Sequence, residues 1–156
     1  MLVDDRSEAV GFDVRDGVPG GSPRLLGLLH RQLVAAGTAK TFGKHRFRPG
    51  MLRVDDDDRL RVVTLDRPAA RNALTPAALD DLRDAVRGTA QPVVYVHGAG
   101  DAFCAGADLE TVRDLDGPRG EAFARRGQRT MNAIEDADSV VVAGVDGAAR
   151  GGGVEL

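Results

Sequence analysis

Glu155 stands behind three consecutive glycines, at the end of the run Asp146-Gly147-Ala148-Ala149-Arg150-Gly151-Gly152-Gly153-Val154-Glu155. An earlier run, His97-Gly98-Ala99-Gly100-Asp101-Ala102-Phe103-Cys104-Ala105-Gly106-Ala107-Asp108, has the same construction: an apolar segment, a glycine-containing turn, then the expected start of a helix. A helix start leaves backbone N–H groups unpaired and carries partial positive charge, and small residues there let a ligand oxygen come close to the backbone. Two such ends converging on one point make an oxyanion hole, with donors expected near Ala107 and Gly152. Each donor of that kind typically contributes on the order of 3 kcal/mol in a transition state. On spacing alone, both loops serve equally well as plain strand-to-helix turns.

Other glycine-loop chemistries fail on residue type. Gly147 and Gly152 have P-loop spacing, but Gly153-Val154 stands where lysine and a hydroxyl residue are needed. Gly98-Ala99-Gly100 begins like a dinucleotide fingerprint, but Phe103 occupies the place of the third glycine. His30, His45 and His97 have no metal-ligand spacing, so no metal site is expected. Cys104 is the only cysteine, which excludes an internal disulfide and fits a reducing, cytoplasmic location; it reads as a small buried hydrophobe. His97, at a strand end, reads as structural.

The elements that must position these loops follow from pattern. Arg61–Asp66 is short and β-branched, a strand ended by Pro68. Thr75-Pro76 is an N-cap and first-turn pair opening a helix with Leu79, Leu82 and Val86 on its apolar face. Pro92–His97 is a second strand, Gly98–Gly106 a loop, and a helix should begin near Ala107 with Leu109 and Val112 inward. Gly120–Ala137 is helical, Ser139–Val145 a third strand and Gly147–Gly153 a loop. Strands alternating with helices predict an α/β fold with parallel pairing. The first fifty residues differ. A Gly/Pro-rich stretch, Gly17–Pro23, leads into a helix opened by Ser22-Pro23, and Lys40–Arg48 reads as a basic, solvated loop. They carry eight Lys/Arg against five Asp/Glu, and residues 51–156 carry thirteen against nineteen. That acidic balance argues against nucleic acid as a partner, and no apolar stretch is long enough to span a membrane.

Three motifs together resemble one family. Leu65-Asp66-Arg67-Pro68 with Asn72-Ala73-Leu74 resembles the opening strand and turn of the crotonase superfamily (enoyl-CoA hydratase/isomerase). Asp101–Leu109 is similar to that family's first oxyanion-loop segment, and Val145–Leu156 to its second. The resemblance covers residues 51–156 and implies a crotonase-like ββα spiral, ending after the second motif. Residues 1–50 form a non-family leader, either one short helix plus a basic loop or disordered chain. By resemblance, the N–H groups of Ala107 and Gly152 hold a thioester oxygen as it becomes an enolate. Ala105 contacts the adenine end of coenzyme A, Ala70 and Arg71 border the coenzyme, Asp108 caps a helix, and Glu155 is the first catalytic glutamate. No separate cofactor is implied, coenzyme A being part of an acyl-CoA substrate.

Two departures qualify the resemblance. Ala69 stands where a lysine often follows the Arg-Pro pair. The sequence also stops at Leu156, whereas the family continues into a second catalytic carboxylate and the contacts of a homotrimer or dimer of trimers. The expected function is therefore acyl-CoA binding with enolate stabilisation, of the hydratase type because of Glu155. The alternative is a catalytically incompetent fragment, or a non-catalytic CoA-binding or oligomerising module.

Overall fold

The computed structural model describes residues 46–48 and 52–156. The helix expected at Ser22-Pro23 and the first part of the basic stretch lie outside these residues. Five strands form one sheet: β1 (Arg46–Arg48), β2 (Leu52–Asp56), β3 (Leu60–Leu65), β4 (Val93–Gly98) and β6 (Val140–Gly144), in the order β1-β2-β3-β4-β6. Two short strands, β5 (Ala102–Cys104) and β7 (Ala148–Ala149), make a second sheet. The helices are α1 (Pro76–Arg87), α2 (Leu109–Arg113), α3 (Gly117–Glu135) and α4 (Gly152–Glu155), with a 3₁₀ turn at Pro68–Ala70.

The architecture is mixed α/β, as expected, but only half of the large sheet is parallel. β3, β4 and β6 run parallel, joined by helical crossovers, whereas β1, β2 and β3 are successive antiparallel neighbours. The loop expected through Arg48 is corrected at its end: Arg46–Arg48 is a strand, and Phe47 pairs with Arg53. β2 was missing from the sequence reading because Asp55 and Asp56 merge with the acidic run after them; their backbones pair with Val62 and Arg61. The Arg61 guanidinium holds Asp56 through two 2.6 Å contacts and donates to the Ala85 carbonyl at 2.7 Å, tying this hairpin to α1.

The core lies between the large sheet and α1. Val63, Leu65, Val94 and Val96 face Leu79, Leu82 and Val86, all buried. α1 starts where Thr75 Oγ1 accepts from the Ala78 N–H at 3.2 Å, with Pro76 in its first turn. α3, capped by Asp116, begins at Gly117, before the expected Gly120. It packs on α1, and Thr130, fully buried, donates its hydroxyl to the Leu79 carbonyl at 2.9 Å. On the opposite face of the sheet, His97 is hydrogen-bonded to Thr64 Oγ1 at 2.9 Å and stacks on Tyr95.

A structural period underlies the chain although no sequence repeat is visible. Each of β3, β4 and β6 is followed by a short inner segment and then by helix. The inner segments are Leu74, β5 and β7, and they lie side by side: Leu74 bridges to Ala107 in parallel, and Ala102 and Cys104 pair with Ala148 and Ala149. These are successive turns of a strand–strand–helix spiral. Among the described residues, no helix is long and apolar enough to cross a membrane.

Candidate active site

The three inner segments place the two glycine loops against each other. β5 and β7 are parallel neighbours, and the Arg150 N–H donates to the Cys104 carbonyl at 3.0 Å. The approach tightens beyond that bond. A Cβ on Gly106 would lie 2.6 Å from the Arg150 oxygen and 3.3 Å from the Gly152 nitrogen, and Gly106 sits at φ +86°. One on Gly153 would run into the Cys104 carbonyl and lie 2.7 Å from the Cys104 Cβ. Glycine is therefore required at both places by contact, and at Gly106 by conformation as well.

Ala107 directly follows Gly106, the residue that lies against Gly152. The neighbours of Ala107 and Gly152 are hydrogen-bonded around them: Leu74 N–H to the Gly106 carbonyl at 2.7 Å, Asp108 N–H to the Leu74 carbonyl at 3.0 Å, and Gly153 N–H to the Arg150 carbonyl at 2.9 Å. Among the described residues the amides of Ala107 and Gly152 themselves donate to no acceptor. The local reasons differ between the two loops. The helix expected near Ala107 starts instead at Leu109, because Asp108 takes an extended conformation and its Oδ1 accepts from the Thr111 N–H at 3.0 Å. The Ala107 amide is thus on an extended segment before the cap. Gly152 opens the short α4, after Gly151 at φ +49°. Leu109 was expected to face inward and is 79% exposed; the five-residue α2 leaves its side without cover among the described residues, and Val112 is half-buried.

The inner segment at Leu74, with the turn before it, borders the first loop on its other side. Ala70 closes the 3₁₀ turn, and the Arg71 carbonyl accepts from the Ala105 N–H at 2.9 Å. That bond occupies the Ala105 amide. Arg71 and Asn72 both have positive φ, 50° and 57°. Glu155 lies in α4, three residues past Gly152, and is exposed. Cys104 is fully buried, and burial pushes its thiol pKa up, as suits a packing residue. Among the described residues no three His, Cys, Asp or Glu side chains gather as a metal set would.

Two positioning groups were not assigned from sequence. Asn72, quoted above only within a motif, is buried; its Oδ1 accepts from Arg67 N–H at 3.0 Å, and its Nδ2 donates to the carbonyls of Ala99 at 2.9 Å and Ala102 at 2.7 Å. Arg67 Nη1 donates to the Ala73 carbonyl at 2.9 Å and meets Asp108 Oδ2 at 3.0 Å. The signal for Asn72 was an amide among small and apolar residues just after an Arg-Pro turn, where a left-handed residue favours asparagine.

Asp108 supplies a pH test. The Thr111 N–H foremost, and Arg67 with it, hold the Asp108 carboxyl below the usual carboxylate range, against the opposing effect of burial. A carboxyl depressed on folding stabilises the fold above its unfolded pKa, about 3.9, and that contribution is lost as pH falls through the lower folded value. Urea unfolding of the parent chain and Asp108→Asn should therefore differ at pH 7, the variant being less stable, and the gap should narrow below about pH 4. A gap constant from pH 7 to pH 2 would show that the charge contributes nothing.

Relatives give this geometry its context. The family model described as enoyl-CoA hydratase/isomerase matches residues 56–156. The chain is 34% identical over 108 residues to a crotonyl-CoA hydratase of Syntrophomonas wolfei, covering 66% of this chain and 42% of that protein. Among solved structures, an enoyl-CoA hydratase from Bacillus anthracis superposes with a TM-score of 0.62 at 30% identity, over 67% of this chain and 43% of that one. A putative enoyl-CoA hydratase from Streptomyces coelicolor gives a TM-score of 0.62 at 31% identity, over 76% of this chain and 46% of the other. This sequence thus spans less than half the length of these relatives. A matched region covering most of the described residues, with the same fold beneath it, places the chain in the enoyl-CoA hydratase/isomerase family.

Proposed function

We propose that the paired loops bind an acyl-CoA thioester and stabilise its enolate, in chemistry of the hydratase/isomerase type. The observation that carries this reading is the close approach at Gly106 of two separate loops, held together by β5 and β7, each bearing an unengaged amide, Ala107 on one and Gly152 on the other. Donors fixed before the reaction need no reorganisation as charge builds on a thioester oxygen. In hydration of a 2-enoyl thioester, water oxygen bonds to C3, the C=C electrons move toward the thioester oxygen, and C2 takes a proton. Glu155 accepts a proton from the water or delivers one to C2. Ala70, Arg71 and Ala105 border the coenzyme, the Ala105 carbonyl being the group its backbone has left to offer. Relatives named crotonyl-CoA and enoyl-CoA hydratase support hydration over other reactions of the family. A complete site at family length, in a homotrimer or dimer of trimers, belongs to the same proposal.

A second reading, binding without turnover, is favoured by one observation. Glu155 is exposed and has no hydrogen-bond partner among the described residues, and a catalytic carboxylate is ordinarily held by its surroundings. Crotonyl-CoA separates the two. On the proposed function, bound crotonyl-CoA shows a lowered thioester C=O stretching frequency, water is added, and Glu155→Gln keeps the frequency shift while slowing turnover about a hundredfold. A frequency shift with no hydration at any enzyme concentration selects the second reading. Neither shift nor hydration removes both.

A further inference from the structure

Two arginines flank the Cys104–Gly106 segment and a third reaches Asp108 just beyond it; among the described residues only the third has an engaged guanidinium. Arg67 is held by the Ala73 carbonyl and Asp108. Arg71 lies on one side of the segment, its carbonyl bonded to the Ala105 N–H at 2.9 Å. Arg150 lies on the other, its N–H bonded to the Cys104 carbonyl at 3.0 Å and its own carbonyl against Gly106. Both residues are exposed, and neither guanidinium has an ion-pair or hydrogen-bond partner among the described residues. Segments on either side of a shared neighbour stand about 10 Å apart, a gap that two extended arginine side chains span together. Residues 51–156 carry thirteen Lys/Arg against nineteen Asp/Glu, so two exposed arginines whose backbones flank one segment bring positive charge to it within an otherwise acidic region.

We propose that Arg150 is a further ligand-binding residue that, with Arg71, grips a phosphate of the coenzyme across the Cys104–Gly106 segment. The inference rests on the acyl-CoA reading and adds to it a residue that neither loop motif requires to be charged. A guanidinium offers a planar fork of N–H donors matched to phosphate oxygens, and such charge-assisted bonds are the stronger ones. The pair divides the labour at the loop: the amides of Ala107 and Gly152 take the thioester oxygen, and the arginines take the anionic end of the same ligand.

Calorimetric titration of the 156-residue chain with coenzyme A, dephospho-coenzyme A and pantetheine tests it, with circular dichroism to check that each variant folds. Arg150→Gln should weaken coenzyme A about tenfold, Arg150→Lys should recover part of the loss, and Arg129→Gln, on the outer helix α3, should bind as the parent does. With pantetheine, which has no phosphate, parent and Arg150→Gln should bind alike. A loss confined to coenzyme A assigns the 3′-phosphate; an equal loss with dephospho-coenzyme A assigns the diphosphate. Parent-like coenzyme A affinity in Arg150→Gln, or an equal loss with pantetheine, overturns the proposal and leaves the acyl-CoA reading standing. Failure of the parent chain to bind coenzyme A at all overturns both.

Discussion

Gly106→Val is expected to remove thioester polarisation and turnover together, by about a thousandfold or more, while leaving the large sheet folded. The size follows from where the added atoms must go. Even the first carbon would stand 2.6 Å from the Arg150 oxygen and 3.3 Å from the Gly152 nitrogen. The backbone at φ +86° is closed to a β-branched residue without strain. The cheapest relief is to push the Arg150–Gly152 segment away from β5, which separates the two amides on which the proposed site depends. Loss of one such donor typically costs a hundredfold or more in rate, and here both lose their common target. The core is remote from the insult, since Val63, Val94, Leu79 and Leu82 pack between the sheet and α1. Far-ultraviolet circular dichroism should therefore stay close to that of the parent. The comparison with Glu155→Gln is diagnostic: that variant keeps the C=O frequency shift and loses turnover, whereas Gly106→Val loses both. A Gly106→Val chain that still lowers the carbonyl frequency of bound crotonyl-CoA would show that Ala107 and Gly152 do not act as a pair.

What the sequence disclosed of the fold and of the paired loops, and what it left out, have identifiable reasons. The glycines were read as room for a ligand oxygen; the structure adds that Gly106 and Gly153 are also where the two loops press on each other, and which two loops meet was read from a resemblance, because no local pattern encodes which turns become neighbours. Helix starts at Thr75-Pro76 and Asp108 were legible because a capping side chain acts within three residues of itself. β5 and β7 were read as loop because strands of three and two residues are too short to establish alternation. β2 disappeared into its acidic neighbours, and β1 into a basic stretch, since both alternate weakly and are held mainly by pairing. The inward expectation for Leu109 assumed a helix long enough to bury one face, and α2 is a turn and a half. Arg150, the one charged residue between two glycine-rich halves of its loop, was legible in type but not in placement. Only the pairing of β5 with β7 sets it across from Arg71.

Asn72→Ala is expected to be the most destabilising single polar substitution at the site, on the order of 4 kcal/mol, a sum of the individual costs of lost buried hydrogen bonds and backbone strain. Asn72 is 2% exposed, and its amide satisfies three backbone groups from two segments, adding to the Ala99 N–H bond to the Leu65 carbonyl: the Arg67 N–H and the carbonyls of Ala99 and Ala102. Truncation leaves all three to find other partners in a space tight enough that a Cβ on Gly98 would lie 2.7 Å from Asn72 Nδ2. Alanine must also hold φ near +57°, where asparagine is tolerated far better. A loss of that size lowers the thermal midpoint by on the order of 15 °C in a domain of about a hundred residues. Asn72→Asp separates the two contributions. It keeps tolerance of the left-handed backbone and the acceptor for Arg67 N–H, but sets a carboxylate against the Ala99 and Ala102 carbonyls. If hydrogen bonding dominates, Asn72→Asp is as damaging as alanine at pH 7 and recovers as the solution is acidified toward the carboxyl's own pKa, because a protonated acid can again donate to one carbonyl. A midpoint for Asn72→Ala within a few degrees of the parent's would mean that the turn bearing Ala70 and Arg71 is fixed by its backbone bonds alone, the Arg71–Ala105 pairing foremost, with the amide a passenger.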